Sequence, residues 1–80
     1  MVNAELDRIT VDPAVLGGKP CIRGLRISVG MIVQMVAAGK TVDDILSEYP
    51  YLEAEDVRQA LTYAAALAEN EYHLAFRPSA

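Results

Sequence analysis

The sequence predicts a small α+β domain, mainly helical, in which short N-terminal strands precede three helices. Three features predict it: a β-branched run at residues 9–11, a glycine-rich basic segment at residues 17–28, and three later stretches with apolar side chains at helical spacing. The 80 residues are 52% hydrophobic and 22% charged, which is typical of one globular domain with a small core. We assign residues 1–8 to an N-terminal tail, residues 9–76 to a single domain and residues 77–80 to a C-terminal tail.

The first third of the chain predicts short extended pieces joined by turns. The β-branched run at residues 9–11 predicts a strand, which the Asp-Pro turn sequence at residues 12–13 ends. Residues 14–16 predict one helical turn, and residues 20–22 and 25–27 predict two further strands. Strands this short are not stable alone, so we expect them to pack on helices.

The first helix is predicted over residues 29–38. Ser28 is a candidate N-cap, because its hydroxyl can accept a hydrogen bond from an unpaired amide of the first turn. Gly39 supplies the left-handed conformation that often ends a helix. The predicted apolar stripe consists of Met31, Ile32, Met35 and Val36.

A short second helix is predicted over residues 42–49. Thr41 is its candidate N-cap, and Asp44 completes an approximate capping box. Pro50 ends this helix, because proline cannot continue the hydrogen-bond pattern. The residues on its apolar face are Val42, Ile45, Leu46 and Tyr49.

The third and longest helix is predicted from Glu53 or Ala54 to about Glu71. A short helix, a tight turn and a longer helix form the helix-turn-helix arrangement. A plain three-helix bundle has the same apolar stripes, so both interpretations stay open. The predicted buried stripe consists of Val57, Leu61, Ala64 and either Leu67 or Ala68.

The basic segment at residues 17–28 contains no acidic residue and three of the five glycines. Two interpretations of its cations stay open. In the first, the cations form a phosphate-binding surface together with glycine amides and the helix N-terminus at Ser28. In the second, Arg23 or Arg26 pairs internally with Asp12 or with a carboxylate of the third helix. The three cations are Lys19, Arg23 and Arg26.

Charge is unevenly distributed along the chain. Residues 1–40 carry a net charge of +2, whereas residues 41–80 carry two arginines against eight carboxylates, a net charge of −6. The overall charge of −4 argues against general affinity for nucleic acid.

Over roughly residues 7–70 the chain resembles the domain-of-unknown-function 433 family. The most specific part of the resemblance is the Gly-Lys-Pro, Arg-Gly and Arg block. In chain order, the motifs that carry it are Gly18-Lys19-Pro20, Ile22-Arg23-Gly24, Arg26-Ile27, Ala38-Gly39, Ile45-Leu46, Tyr49-Pro50 and the helical run Asp56-Val57-Arg58-Gln59-Ala60-Leu61.

The resemblance implies a homeodomain-like fold, related to winged helices, with a small N-terminal sheet. It also implies a bacterial or archaeal antitoxin, often encoded beside a small PIN-like ribonuclease toxin. Two residues depart from the family pattern. Cys21 stands where an aliphatic residue is usual, and Glu53 replaces a Ser or Thr before the long helix, which weakens that N-cap.

DNA binding through the third helix would face an electrostatic obstacle. Glu53, Glu55 and Asp56 lie at its start, where a recognition helix contacts DNA, and they would repel phosphates. The basic segment is the better phosphate surface. The candidate DNA-binding residues are Lys19, Arg23, Arg26, Ser28, Arg58 and Gln59.

The C-terminal segment combines carboxylates with aromatic and aliphatic side chains. We expect its apolar residues to anchor in a groove of the toxin, with its carboxylates near the toxin's basic rim. The alternative is that it packs on the domain itself or on a second copy in a homodimer. The candidate partner-binding residues are Glu69, Glu71, Tyr72, Leu74 and Phe76.

Catalysis is not predicted. His73 and Cys21 are the only histidine and the only cysteine, so the spacing of a structural zinc site is absent. The adjacent carboxylates fit helix N-termini better than a catalytic pair. We expect no catalytic residues, metal or cofactor, a cytoplasmic location, a homodimer and no membrane association. The expected function is an antitoxin-like regulator that binds a PIN-like toxin and its own promoter DNA. The alternatives are a stand-alone DNA-binding transcriptional regulator and a homodimeric adaptor that does not bind DNA.

Overall fold

A computed structural model of the chain describes residues 6–70. A two-stranded antiparallel sheet comes first and three helices follow, which confirms the predicted fold class and element order. No helix in this part of the chain is long and apolar enough to cross a membrane. The elements are β1 (Ile9–Thr10), a 3-10 turn (Leu16–Gly18), β2 (Cys21–Ile22), α1 (Val29–Ala37), α2 (Val42–Glu48) and α3 (Ala54–Asn70).

The sheet is smaller than predicted. Ile9 pairs with Ile22 and Thr10 with Cys21. The expected third strand at residues 25–27 does not form; only an isolated bridge joins Cys21 to Ser28. The reason is a tight turn just before it, in which Arg23 and the next glycine adopt φ angles of 47° and 72°. Left-handed residues reverse the chain too sharply for regular pairing.

The helix boundaries follow local capping chemistry. The Ser28 hydroxyl accepts a hydrogen bond from the Met31 amide at 3.0 Å, as predicted. At the other end of α1, Gly39 has φ 95°, and the next amide, that of Lys40, donates to the Met35 carbonyl at 3.1 Å. This hydrogen bond spans six residues, as in a Schellman motif, and it pairs a carbonyl at the end of the helix that would otherwise lack a partner.

The N-terminus of α2 is a full capping box. The Thr41 hydroxyl accepts from the Asp44 amide at 3.1 Å, and the Asp44 carboxylate accepts from the Thr41 amide at 2.8 Å. This contact confirms the sequence prediction. The pKa of Asp44 is lowered, chiefly because the Thr41 amide donates to its carboxylate and favours the charged form.

We expect Thr41→Ala to lower the free energy of unfolding by about 1 kcal/mol, because the substitution removes one of the two capping bonds. Chemical denaturation monitored by circular dichroism measures the change. Ser47→Ala, at an exposed position of the same helix, is the control and should change stability by only a few tenths. Equal losses in both variants would contradict the capping role.

The core lies where α1, α2 and α3 meet the sheet, and α1 packs mainly on α3. The predicted core positions Ile32, Ile45 and Val57 are fully buried. Val42 and Leu67 are 40% and 43% exposed, so their predicted burial is wrong. The domain is too small for every apolar position of a helical stripe to reach its center. The buried cluster is Ile22, Ile27, Val29, Ile32, Ile45, Leu52, Val57 and Ala60.

Candidate functional site

Arg23 of the basic segment is bound to α3 rather than free in solvent. Its guanidinium donates to both oxygens of Asp56, at 3.1 and 2.9 Å, and to the Tyr51 carbonyl at 2.8 Å. The alternative in which an arginine of this segment pairs with a carboxylate of the third helix is therefore confirmed for Arg23. Pairing with Asp56 raises the pKa of Arg23, and its main role in the described domain is to join the turn after β2 to α3.

Asp56 lies at the center of a cluster of hydrogen bonds and ion pairs. Its side chain is fully buried and also accepts from Arg8 at 3.0 Å and from the Glu53 amide at 2.8 Å. Burial alone would raise the pKa of this carboxyl. The donors Arg23, the Glu53 amide and Arg8 outweigh that effect and hold its pKa below the ordinary value of 3.8.

The same contact supplies one half of a capping box at the start of α3. Glu53 precedes the helix and is the residue expected to weaken its start. The carboxylate of Asp56 instead accepts the Glu53 amide, which is the half of a capping box that runs from the third helical residue back to the cap. Sequence reasoning identified the weak N-cap but not the bond from Asp56 to the Glu53 amide.

Arg8 was missed as a functional residue because it was assigned to the N-terminal tail. It bridges Glu53, at 2.6 Å, and Asp56. Leu6 is also buried, and Asp7 and the Arg8 amide hydrogen-bond to Gln59, so the chain contacts α3 from residue 7 onward. In the sequence, Arg8 is a single arginine between acidic and β-branched residues. Nothing in that pattern indicates that it pairs with Asp56, 48 positions away.

Arg58 and Gln59 of the DNA-binding prediction are both engaged within the domain. Arg58 donates to both oxygens of Glu55, at 2.8 and 2.6 Å. Gln59 is only 3% exposed; it accepts the Arg8 amide and donates to Asp7 and Glu55. Hydrogen bonds from Arg58 and Gln59 lower the pKa of Glu55 to about 2.

Lys19 and Arg26 differ from the other cations of the described residues. Both are exposed, and neither side chain forms a hydrogen bond or ion pair within residues 6–70. Ser28, by contrast, is nearly buried and its hydroxyl caps α1. Of the predicted phosphate surface, two side chains therefore remain available to an external anion.

Two shallow clefts lie beside these cations. Arg26 lines a cleft of about 320 Å³ together with Leu25, Ile27 and Tyr51, whose ring is largely exposed. Lys19 lines a cleft of about 370 Å³ at the start of α1. The second cleft includes Pro20, Ser28, Gly30, Met31 and Gln34.

Met31 and Gln34 also line a third cleft, of about 250 Å³, which continues along α1 toward Lys40 and Tyr49. The two clefts along α1 share these side chains and follow the helix for its whole length. Residues 6–70 contain no group of three or more His, Cys, Asp or Glu side chains arranged to bind a metal ion.

Of the predicted partner-binding residues, Glu69 is exposed on the last turn of α3. The others lie outside the described residues: Glu71, Tyr72, Leu74 and Phe76.

Comparison with known proteins places this geometry in a family. A 63-residue stretch is 43% identical to the uncharacterized protein y4eO of Sinorhizobium fredii (strain NBRC 101917 / NGR234), covering 79% of this chain and 28% of that protein. The fold matches the crystal structure of a DUF433 member protein from Anabaena variabilis ATCC 29413, with a TM-score of 0.74 and 35% identity over 79% of this chain and 62% of that one. The chain thus spans less than two thirds of either relative. Residues 9–64 match the family described as "Protein of unknown function (DUF433)", and the chain belongs to that family.

Proposed function

We propose that this domain is an antitoxin-like regulator that acts by binding and neutralizes a PIN-like ribonuclease. The observation that carries the proposal is the acidic sequence of residues 41–80, whose net charge is −6 when the buried Asp56 is included. Ribonucleases hold RNA through cationic grooves, and an acidic protein surface is complementary to such a groove. Asp43 and Glu69 support this, because both are exposed and form no ion pair within residues 6–70.

The arrangement of α3 supports protein binding over reading of DNA by this helix. Its first turns carry Glu55 and Asp56, and the two donors that follow, Arg58 and Gln59, hydrogen-bond to carboxylates of the same domain. A base-reading arginine must offer its donors to a base edge. Using these residues for DNA would require breaking the internal bonds first.

Apolar anchors would supply the affinity that charge does not. Within the described residues Glu69 marks the acidic end of α3, and the sequence continues with Glu71, Tyr72, Leu74 and Phe76. Buried aromatic and aliphatic anchors dominate most interfaces, whereas rim charges mainly raise the association rate. We assign the apolar residues of this segment to the ribonuclease groove.

The first experiment is genetic and biochemical. A small PIN-like ribonuclease encoded beside this gene should be inhibited by the purified chain in a fluorescent-RNA cleavage assay. We expect Tyr72→Ser, Leu74→Ser and Phe76→Ser combined to raise the inhibitory concentration at least tenfold. Val11→Ser is the control, because Val11 is 63% exposed and lies far along the sequence. Inhibition unchanged by the triple variant would contradict the assignment of the segment.

A second function, promoter binding, is favored by the two exposed cations alone. If the domain binds its promoter, Lys19→Ala combined with Arg26→Ala should reduce the slope of log affinity against log salt by about two, one for each phosphate contact. Arg23→Ala is unsuitable for this test because it would break the pair with Asp56. Lys40→Ala is the matched control, since Lys40 is paired with Glu48.

Electrophoretic mobility shift at several salt concentrations measures the slope. If the double variant has the same slope as the wild type, Lys19 and Arg26 do not contact phosphates. Loss of retardation in Arg58→Ala alone would instead indicate a conventional recognition helix.

A further inference from the structure

The Arg26 cleft, lined by Leu25, Arg26, Ile27 and Tyr51, combines a cation, an aromatic ring and aliphatic side chains. Arg26 is exposed, and its side chain forms no hydrogen bond or ion pair within residues 6–70. Tyr51 is 57% exposed, whereas Ile27 is buried and Leu25 is half-buried. A ligand that matches this lining must present a negative charge beside an apolar surface. The volume of about 320 Å³ lies within the range of small-ligand sites.

The backbone on both sides of Arg26 is fixed by hydrogen bonds. The Leu25 amide donates to the Ile22 carbonyl at 2.7 Å, and the Ile22 amide donates to the Ile27 carbonyl at 3.0 Å. Both chain neighbors of Arg26 are therefore bonded to the same residue of β2. A ligand that binds the guanidinium does not have to order this turn first, which lowers the entropic cost of binding.

Tyr51 is held on the opposite side of the cleft. Its carbonyl accepts from Arg23 at 2.8 Å, and the centroid of its ring lies 6.3 Å from that of Tyr49, with the two rings nearly perpendicular. Because Arg23 belongs to the turn just before Arg26, its bond to Tyr51 fixes the aromatic side of the cleft relative to the free guanidinium. The cleft is thus formed before any ligand arrives.

The other charges close to this cleft balance one another. Arg8 and Arg23 pair with Glu53 and Asp56, which sets two cations against two carboxylates. Arg26 adds a positive charge without a partner among the described residues. The cleft therefore attracts an anion, and the anion must have an apolar part that lies against Tyr51.

We propose that the Arg26 cleft binds one nucleotide of a single-stranded nucleic acid. The Arg26 guanidinium donates to a phosphate oxygen, and the base stacks on Tyr51 beside Leu25 and Ile27. Every nucleotide carries a phosphate and a planar base, and single-strand sites combine cations with aromatic stacking surfaces in this way. Bases of a duplex are paired and stacked on each other, so they do not reach the ring. The inference does not rest on inhibition of a ribonuclease.

Fluorescence anisotropy of a labeled six-nucleotide RNA, titrated with the full chain at low salt, measures this binding. We expect a micromolar dissociation constant, the same constant for a DNA strand of equal sequence, and binding at least tenfold weaker for the corresponding duplex. Equal constants for RNA and DNA are expected because neither contact involves the sugar.

Arg26→Gln should weaken binding of the RNA about tenfold. It should also reduce the slope of log affinity against log salt by about 0.7, the value for one phosphate contact on a single strand. Lys19→Gln is the matched control, because Lys19 is also exposed and unpaired within residues 6–70 but lines a different cleft. We expect it to change the affinity less than about twofold.

Tyr51→Leu should weaken binding about tenfold and leave the salt slope unchanged, because it removes stacking but no charge. Tyr51→Phe keeps the ring and should bind as the wild type does. Thermal midpoints close to that of the wild type show that these variants still fold. Absence of binding overturns the proposal, as does equal loss in Tyr51→Phe and Tyr51→Leu. Equal affinity for the duplex also overturns it and indicates contact through charge alone. Displacement of the RNA by poly-glutamate of equal charge overturns it as well and indicates an acidic protein partner.

Discussion

Asp56→Ala is expected to destabilize the domain by about 3 kcal/mol, a large share of the total for a chain of this length. The carboxylate is fully buried and accepts hydrogen bonds from Arg8, Arg23 and the Glu53 amide. Its removal leaves two guanidinium groups close together without their shared counter-ion and removes the acceptor of the Glu53 amide at the start of α3. Because both arginines reach solvent, we expect the lower end of the range for a broken buried pair.

Asp43→Ala is the matched control for this prediction. Asp43 lies in the first turn of α2, as Asp56 lies in the first turn of α3, but it is exposed and forms no ion pair within the described residues. Its loss should cost less than about 1 kcal/mol. Urea denaturation of both variants at neutral pH measures the difference, and similar losses would contradict the role assigned to Asp56.

The Asp56 contribution should also depend on pH. Its folded-state pKa is lower than the ordinary value of 3.8, so the unfolded chain binds the proton first as pH falls. The stabilization is complete above about pH 5 and is lost as pH falls through the folded-state pKa. The difference in unfolding free energy between the wild type and Asp56→Ala should therefore shrink below pH 4. A difference that stays constant down to pH 2 would show that its origin is not ionic.

Ile45→Ala is expected to cost about 3 to 4 kcal/mol. Ile45 is fully buried at the center of the core cluster, where α2 packs on the other two helices. Removing three carbon atoms there loses apolar burial and leaves a cavity that the short α2 cannot close without losing its capping box. In a domain of this size the variant should be largely unfolded near 50 °C.

Val42→Ala in the same helix is the comparison that distinguishes core from surface. The sequence placed both residues on one apolar face, but Val42 is 40% exposed. We expect a loss of less than about 1 kcal/mol for this variant, and thermal unfolding followed by circular dichroism measures both. Equal losses in Val42→Ala and Ile45→Ala would mean that α2 is rotated about its own axis so that both side chains face the core.

Sequence reasoning succeeded where the determining contacts are local. The caps at Ser28 and Thr41 and the left-handed Gly39 depend on side chains and amides three to five residues apart. Such contacts form wherever the helix forms, so residue type and spacing are sufficient to predict them. The stop at Pro50 follows from the same kind of local constraint.

Sequence reasoning was incomplete where a charged side chain is paired with a residue far away along the chain. It left open whether Arg23 faces a phosphate or a carboxylate, and it did not identify Arg8 as a partner. Both arginines bind Asp56, from 33 and 48 positions away. A charged side chain can be satisfied by any opposite charge within reach, so its partner is unknown until the chain is folded.

By itself, then, the sequence determined the family, the order of the elements and the ends of α1 and α2, because these depend on short-range backbone chemistry and on a specific Gly-Lys-Pro and Arg-Gly block. The tertiary structure alone decided which cations remain available. Packing of the first turn of α3 against the N-terminal segment buries Asp56 and draws Arg8 and Arg23 onto it, which leaves Lys19 and Arg26 exposed. A buried carboxylate cannot stay charged without such partners, and that requirement selected the two arginines.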